Sequence, residues 1–135
     1  MFNISQFKCG VELKNFSLKT DPHLLCPCCA RERLKKSSLM RLQRLRSLYG
    51  KPIGIIEGGG YRCESYTSSE ISAHHSGHAF DLAYPREDHW LLLSLAMQVG
   101  FTGIGDKNKK GRYQLHLDDA PDIPHQRPRP WKWTY

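Results

Sequence analysis

The sequence has no apolar run approaching the roughly 20 residues that a bilayer-crossing helix needs, which excludes a membrane-spanning segment. Met1-Phe2-Asn3-Ile4-Ser5 lacks the charged start and apolar stretch of a signal peptide, so the chain is expected to be made in a cytoplasm without an export signal of its own. Its five cysteines, Cys9, Cys26, Cys28, Cys29 and Cys63, are odd in number, which argues against a fully paired secreted framework. No lysine and hydroxyl follow Gly58-Gly59-Gly60 as a nucleotide-binding loop requires. The three glycines are read instead as an unusual turn or a close backbone approach. There is no internal repeat and no visible boundary, and 135 residues suit one domain spanning 1–135.

Charge is plentiful but scattered. Lys and Arg number 20 against 13 Asp and Glu, giving +7. Such a balance attracts polyanions, among them nucleic acid and an anionic bacterial envelope. The basic residues of 31–46, 107–112 and 127–132 have no interleaved aromatic platform and no DNA-reading motif. They are read as solvated surface that helps the protein adhere to cell wall, with no specific nucleic-acid partner.

The periodicity predicts an α+β domain: a small, mostly antiparallel sheet flanked by helices. Residues 1–11 read as an extended entry with Phe2, Ile4 and Phe7 available to a core, and 13–27 as loop or short turns. Leu39, Leu42, Leu45 and Tyr49 recur at helical spacing, Gly50 caps and Pro52 blocks continuation. A preceding helix is expected over 28–36. Strands are expected at 53–57, 78–83, 101–105 and 112–118, the last two joined by a basic turn over 106–111. Residues 87–99 read as an apolar helix with Trp90, Leu91, Leu95 and Met97 in the core. The prolines after Ala120 predict an irregular tail pinned by Trp131, Trp133 and Tyr135.

The chemistry concentrates in Ser72-Ala73-His74-His75-Ser76-Gly77-His78-Ala79-Phe80-Asp81 and in His116-Leu117-Asp118. Imidazole nitrogen and carboxylate oxygen suit a borderline cation such as Zn²⁺, and three protein ligands leave a fourth position open, as in a catalytic site. A period of two puts Ala79 and Asp81 on one strand face and Phe80 and Leu82 on the other. It likewise puts His116 and Asp118 opposite the leucines. Adjacent strands with a folded-back His74 would then present His74, Asp81 and His116 to one ion.

The pattern Ser-x-His-x-x-Gly-x-Ala-x-Asp, matched by Ser72, His74, Gly77, Ala79 and Asp81 and followed by His-x-Asp, resembles the zinc D-alanyl-D-alanine carboxypeptidases. Their peptidoglycan endopeptidase and phage endolysin relatives share the same hedgehog-type fold. Further echoes run in order along the chain: Phe7-Lys8-Cys9-Gly10, Gly60-Tyr61-Arg62-Cys63, the glycine-rich 100–105, Arg127-Pro128 and Trp131. The resemblance implies one catalytic zinc on His74, Asp81 and His116, and Arg62 holding a substrate carboxylate or steadying the oxyanion. It also implies a peptidoglycan stem peptide or cross-bridge as substrate. A monomer is expected, acting on the wall after release or as part of a virion.

The general base is less defined. Several relatives carry an acid three places before the last histidine, where this chain has Tyr113. Asp118 is the nearest substitute, either as base or as the residue that orients His116; His75, His78, Glu57 and Glu64 remain contributors to consider. The competing reading is a non-catalytic, zinc-stabilised structural or binding module of a phage particle. In His23-Leu24-Leu25-Cys26-Pro27-Cys28-Cys29 the thiols cluster, but not as a paired Cys-x-x-Cys, so free thiols are favoured over a second metal. A Cys9–Cys63 disulfide would require their segments to meet.

Overall fold

The computed structural model describes residues 6–67, 69, 71–109 and 112–135, excluding the side chains of 108, 109 and 112. The expectations for Phe2 and Ile4, and for the tip of the 106–111 turn, lie outside the described residues.

Two helices, α1 (Lys36–Tyr49) and α2 (His89–Gln98), pack with one five-stranded sheet. Its strands are β1 (Gly54–Ile55), β2 (Ala79–Ala83), β3 (Gly103–Lys109), β4 (Arg112–Asp118) and β5 (Trp131–Thr134), in the order β1-β2-β4-β3-β5. All pairings are antiparallel except β3 with β5. This is the expected α+β architecture.

Alternation along β2 and β4 divides the sheet into two faces. Phe80, Leu82, Leu115 and Leu117 are completely buried in one core with Leu39, Leu42 and Leu45 of α1 and Leu92 and Ala96 of α2. The other face carries Asp81, His116 and Asp118. Register aligns them, because Asp81 pairs with His116, His116 with Gly105, and Gly105 with Trp133, in one row across four strands. Glycine is required at 103 and 105, where a Cβ would run into Asp118 and Arg129 or, at 2.6 Å, into the Trp133 ring. Those two positions let the C-terminal segment lie directly on the site.

Several elements differ from the sequence reading. Residues 28–35 are not helical: Cys26 and Arg31 close a turn (N to O 2.8 Å), and the Glu32 carboxylate accepts from Leu34 N–H at 2.8 Å. Helix α1 therefore starts only at Lys36, and Gly50 ends it in the left-handed conformation as expected, at φ 76°. Strand β1 covers just Gly54–Ile55, because beyond it the Gly58–Gly60 stretch curls against the backbones of Leu24 and Asp81. Strand β3 runs on to Lys109, so 106–109 are strand where a turn was expected.

In α2, Leu92, Leu93 and Ala96 face the core. Trp90, Leu91 and Met97 are exposed, Trp90 to 79%. An apolar segment without polar alternation gave no sign of which stripe faced inward. After its prolines the tail regains order as β5, which adds to β3 in parallel.

Candidate metal centre

His74 lies in the 72–78 turn, clamped by backbone bonds from Ser76 N to Ser72 O (3.1 Å) and from His78 N to Ala73 O (2.9 Å). Gly77 makes that turn with φ +83°, and its carbonyl accepts from Lys35 N–H at 2.9 Å. The turn tips His74 onto the sheet face where the β2–β4 register has set Asp81 beside His116. All three side chains are buried.

Their ligand atoms form a triangle. His74 Nε2 is 3.2 Å from His116 Nδ1 and 3.2 Å from Asp81 Oδ1, and His116 Nδ1 is 3.1 Å from Asp81 Oδ1. A tetrahedral zinc with bonds of about 2.05 Å sets its ligands ~3.3 Å apart. The remaining ring nitrogens are committed elsewhere: His74 Nδ1–H donates to Gly60 O at 2.9 Å, and His116 Nε2–H to Asp118 Oδ2 at 2.6 Å. These acceptors fix both tautomers, as outer partners of metal-bound histidines do. Two ring lone pairs and a carboxylate oxygen are left converging on one point, an arrangement that a bound cation resolves. The donor set thus fits zinc.

Electrostatics point the same way. Burial by itself would raise the Asp81 pKa, but hydrogen bonds and positive charge from His116 and His74 hold it well below the usual carboxylate range. Burial would likewise lower His116, yet Asp118 and Asp81 on its two nitrogens push it up. The pocket is built to concentrate positive charge between carboxylates.

Arg62 reaches the triangle. Its Nη2 donates to Asp81 Oδ2 at 2.9 Å and its Nε to Gly58 O at 2.6 Å, leaving Asp81 Oδ1 to the triangle. With Glu57, Lys107, Gln114, Trp133 and Tyr135 among its neighbours, the triad and Arg62 line an open cavity of about 390 Å³.

Asp118 does not line that cavity. It is completely buried behind His116, gripped by Arg129 through Nε to Oδ1 and Nη2 to Oδ2, both 2.8 Å, and it accepts from Ala120 N–H at 3.2 Å. Of the two roles open to it, this position suits orienting His116, not proton transfer to substrate. Tyr113 points to the helix face, its ring 6.0 Å from that of His89. His75 bonds to Arg62 O through Nδ1 at 3.1 Å and His78 to Ser76 at 2.8 Å, both outside the triangle.

Arg129 is not singled out by the sequence, and Trp133, whose ring lies 5.1 Å from that of His116, is read there only as an anchor of the tail. The tail echo drew attention to Arg127, which instead bonds to Ile71 O and Pro121 O at 2.8 and 3.1 Å. The available signal was Gly103-x-Gly105, which leaves room for large side chains on the metal face. Arg129 is 9% exposed and Asp118 not at all, so Arg129→Ala strands a buried charge. Chemical denaturation should show a loss of about 3 kcal/mol; a loss below about 1 kcal/mol would mean that His116 alone satisfies Asp118.

No curated protein and no solved structure matches the chain. One family does match, by its model and over most of the length, residues 11–118: peptidase M15. That span takes in the 72–81 motif, the Arg62 segment and the closing His-x-Asp together, and the chain belongs to the peptidase M15 family of zinc-dependent metallopeptidases.

Proposed function

We propose that this chain is a zinc metallopeptidase that hydrolyses a peptide bond in the stem or cross-bridge of bacterial peptidoglycan. The observation that carries the reading is the triangle of His74 Nε2, Asp81 Oδ1 and His116 Nδ1 on the wall of an open cavity that also exposes Arg62. Zinc held there supplies Lewis-acid polarisation of the scissile carbonyl and acidifies a water from a pKa of ~15.7 toward ~7.

The residues around it divide the remaining work. Asp118 and the Gly60 carbonyl hold the two imidazoles in their ligand tautomers. Arg62 anchors Asp81 and presents its guanidinium to the cavity, where it steadies a developing oxyanion or holds a substrate carboxylate. Lys107 lines the same cavity, so a substrate ending in a carboxylate, as a stem peptide does, meets two cations. Glu57 is the one lining carboxylate, among the described residues, that stands outside the triad. It is assigned the proton transfer from water to the leaving amine.

The non-catalytic module remains the second reading, favoured by Tyr113 facing away from the cavity. Against it stand the three-residue ligand set among the described residues, the open cavity and Arg62 turned toward Asp81. The excess of basic residues fits a phage lysin that reaches the wall through a membrane lesion or within a particle. No helix among the described residues is long and apolar enough to cross a membrane.

Release of new amino groups from purified peptidoglycan by the zinc-loaded protein is the deciding assay. Turnover is expected, and Glu57→Gln should lower kcat by about 10²- to 10⁴-fold with zinc content unchanged. A zinc-replete protein that releases nothing from several wall types would establish the non-catalytic module instead.

A further inference from the structure

Four of the five cysteines gather at one place, away from the His74 triangle. Cys26, Cys28 and Cys29 sit on the turn closed by Ala30 N–H to Cys26 O at 2.8 Å. Cys63 opens a second turn, its carbonyl accepting from Tyr66 and Thr67 N–H at 3.0 Å. The two turns meet. Cys28 Sγ is 3.4 Å from Cys63 Sγ, and Cys63 N–H points to Cys26 Sγ at 3.4 Å. The Cys26, Cys28 and Cys63 sulfurs all lie within 4.8 Å of one another, and Cys29 is close enough to the Cys26 and Cys63 thiols to interact with both. All are free thiols, Cys26 buried and Cys28 exposed; Cys9 is exposed and is not part of that group.

We propose that Cys26, Cys28 and Cys63, completed by Cys29, bind a second, structural zinc ion. Bonds of about 2.3 Å around a tetrahedral ion set thiolate sulfurs ~3.8 Å apart, a spacing these side chains reach with small rotations. Four thiols packed this closely gain nothing from one another as thiols, whereas deprotonation onto one cation converts the cluster into a closed structural site. Spacing in the sequence hid it, because three ligands come from one Cys-x-Cys-Cys run and the fourth from a residue 34 positions beyond Cys29. Backbone turns bring them together.

The position gives the ion a purpose. Cys63 follows Arg62 directly, and Tyr61 N–H bonds to Leu24 O at 3.0 Å, just ahead of Cys26. A metal staple between the two turns therefore fixes the segment whose Gly60 carbonyl orients His74 and whose Arg62 holds Asp81. The thiol site stands independently of the catalytic reading, and one set of measurements separates the two.

The test uses the full chain, reduced, stripped of metal and reloaded with zinc or cobalt. Two zinc ions per chain are expected for the unaltered protein and for Cys9→Ser. One is expected for the double variant Cys28→Ser with Cys63→Ser, and one for His74→Ala. Cobalt bound by thiolates gives a near-ultraviolet charge-transfer band, which should persist in His74→Ala and vanish in the cysteine double variant. Because Cys28 is exposed, Cys28→Ser alone offers a gentler substitution, expected to weaken the band while leaving the protein folded. Four thiols should resist a thiol reagent until a chelator is added. One metal with the band intact would retain the thiol site and reject the histidine site. One metal without the band, four freely reacting thiols, or an intact mass short of two hydrogens from a Cys28–Cys63 disulfide would each overturn the second zinc.

Discussion

Replacing His116 with alanine is expected to remove one zinc equivalent per chain and to reduce peptidoglycan hydrolysis to background. His116 holds the middle of the charge chain. Its Nδ1 faces Asp81 Oδ1 at 3.1 Å and His74 Nε2 at 3.2 Å, while its Nε2 faces Asp118 at 2.6 Å. With the ring gone, only His74 and Asp81 remain of the triad, one ligand fewer than the three that hold a catalytic zinc. The acids are not left bare, because Arg62 still pairs with Asp81 and Arg129 with Asp118, so the sheet should persist by circular dichroism.

Asp118→Asn sets the scale for comparison. It keeps the acceptor oxygen beside His116 but removes the charge, and loss of such an outer partner costs about 10- to 100-fold in metal affinity or activity. His116→Ala should therefore fall by more than about 100-fold, and a smaller loss than that of Asp118→Asn would place the ion elsewhere. The comparison also checks Asp118 as a positioning residue. If Asp118 acted by orientation alone, excess zinc should restore most of the Asp118→Asn activity, which it would not do for a missing proton acceptor.

The face that carries the candidate ligands was legible in the sequence because a strand forces the issue. Alternate residues share a face, and the leucines of Leu115-His116-Leu117-Asp118 are buried without exception, so His116 and Asp118 had to lie opposite. What periodicity could not supply was the order of pairing. That Asp81 stands directly across from His116, with Gly105 and Trp133 continuing the row, depends on register, set by turns and by the core together. For the same reason Arg129 was not found. It reaches Asp118 only because β5 joins β3 in parallel, a pairing for which four prolines between Ala120 and Trp131 gave no warning.

Helix α2 failed differently. Its ten residues, His89–Gln98, hold apolar side chains on all sides, so the pattern carried no direction, and Trp90 ended in solvent. The helix expected over 28–36 is absent up to Lys36. Side-chain and turn bonds around Glu32 and Cys26 compete there with helical ones, and they win.

Gly77→Ala should be among the most destabilising single substitutions in the chain, for reasons separable by a second glycine. At φ +83° any L side chain pays the left-handed penalty of about 1–2 kcal/mol. Gly50, at φ +76°, has that penalty alone, since a Cβ there meets nothing within 4 Å. At Gly77 the new methyl would be driven into the Arg33 carbonyl and stand 3.3 Å from Leu34 Cα, both backbone atoms with no rotamer to escape through. The 72–78 turn and the 33–35 segment would have to separate, breaking the Lys35 N–H to Gly77 O bond and tilting His74 away from Asp81 and His116. A total of about 3–4 kcal/mol is expected for Gly77→Ala against about 1–2 for Gly50→Ala. The difference should appear as a melting temperature lower by several degrees, and only Gly77→Ala should weaken zinc binding. Equal losses in the two variants would mean that the turn relaxes freely, and that the glycine of the motif serves backbone conformation without positioning His74.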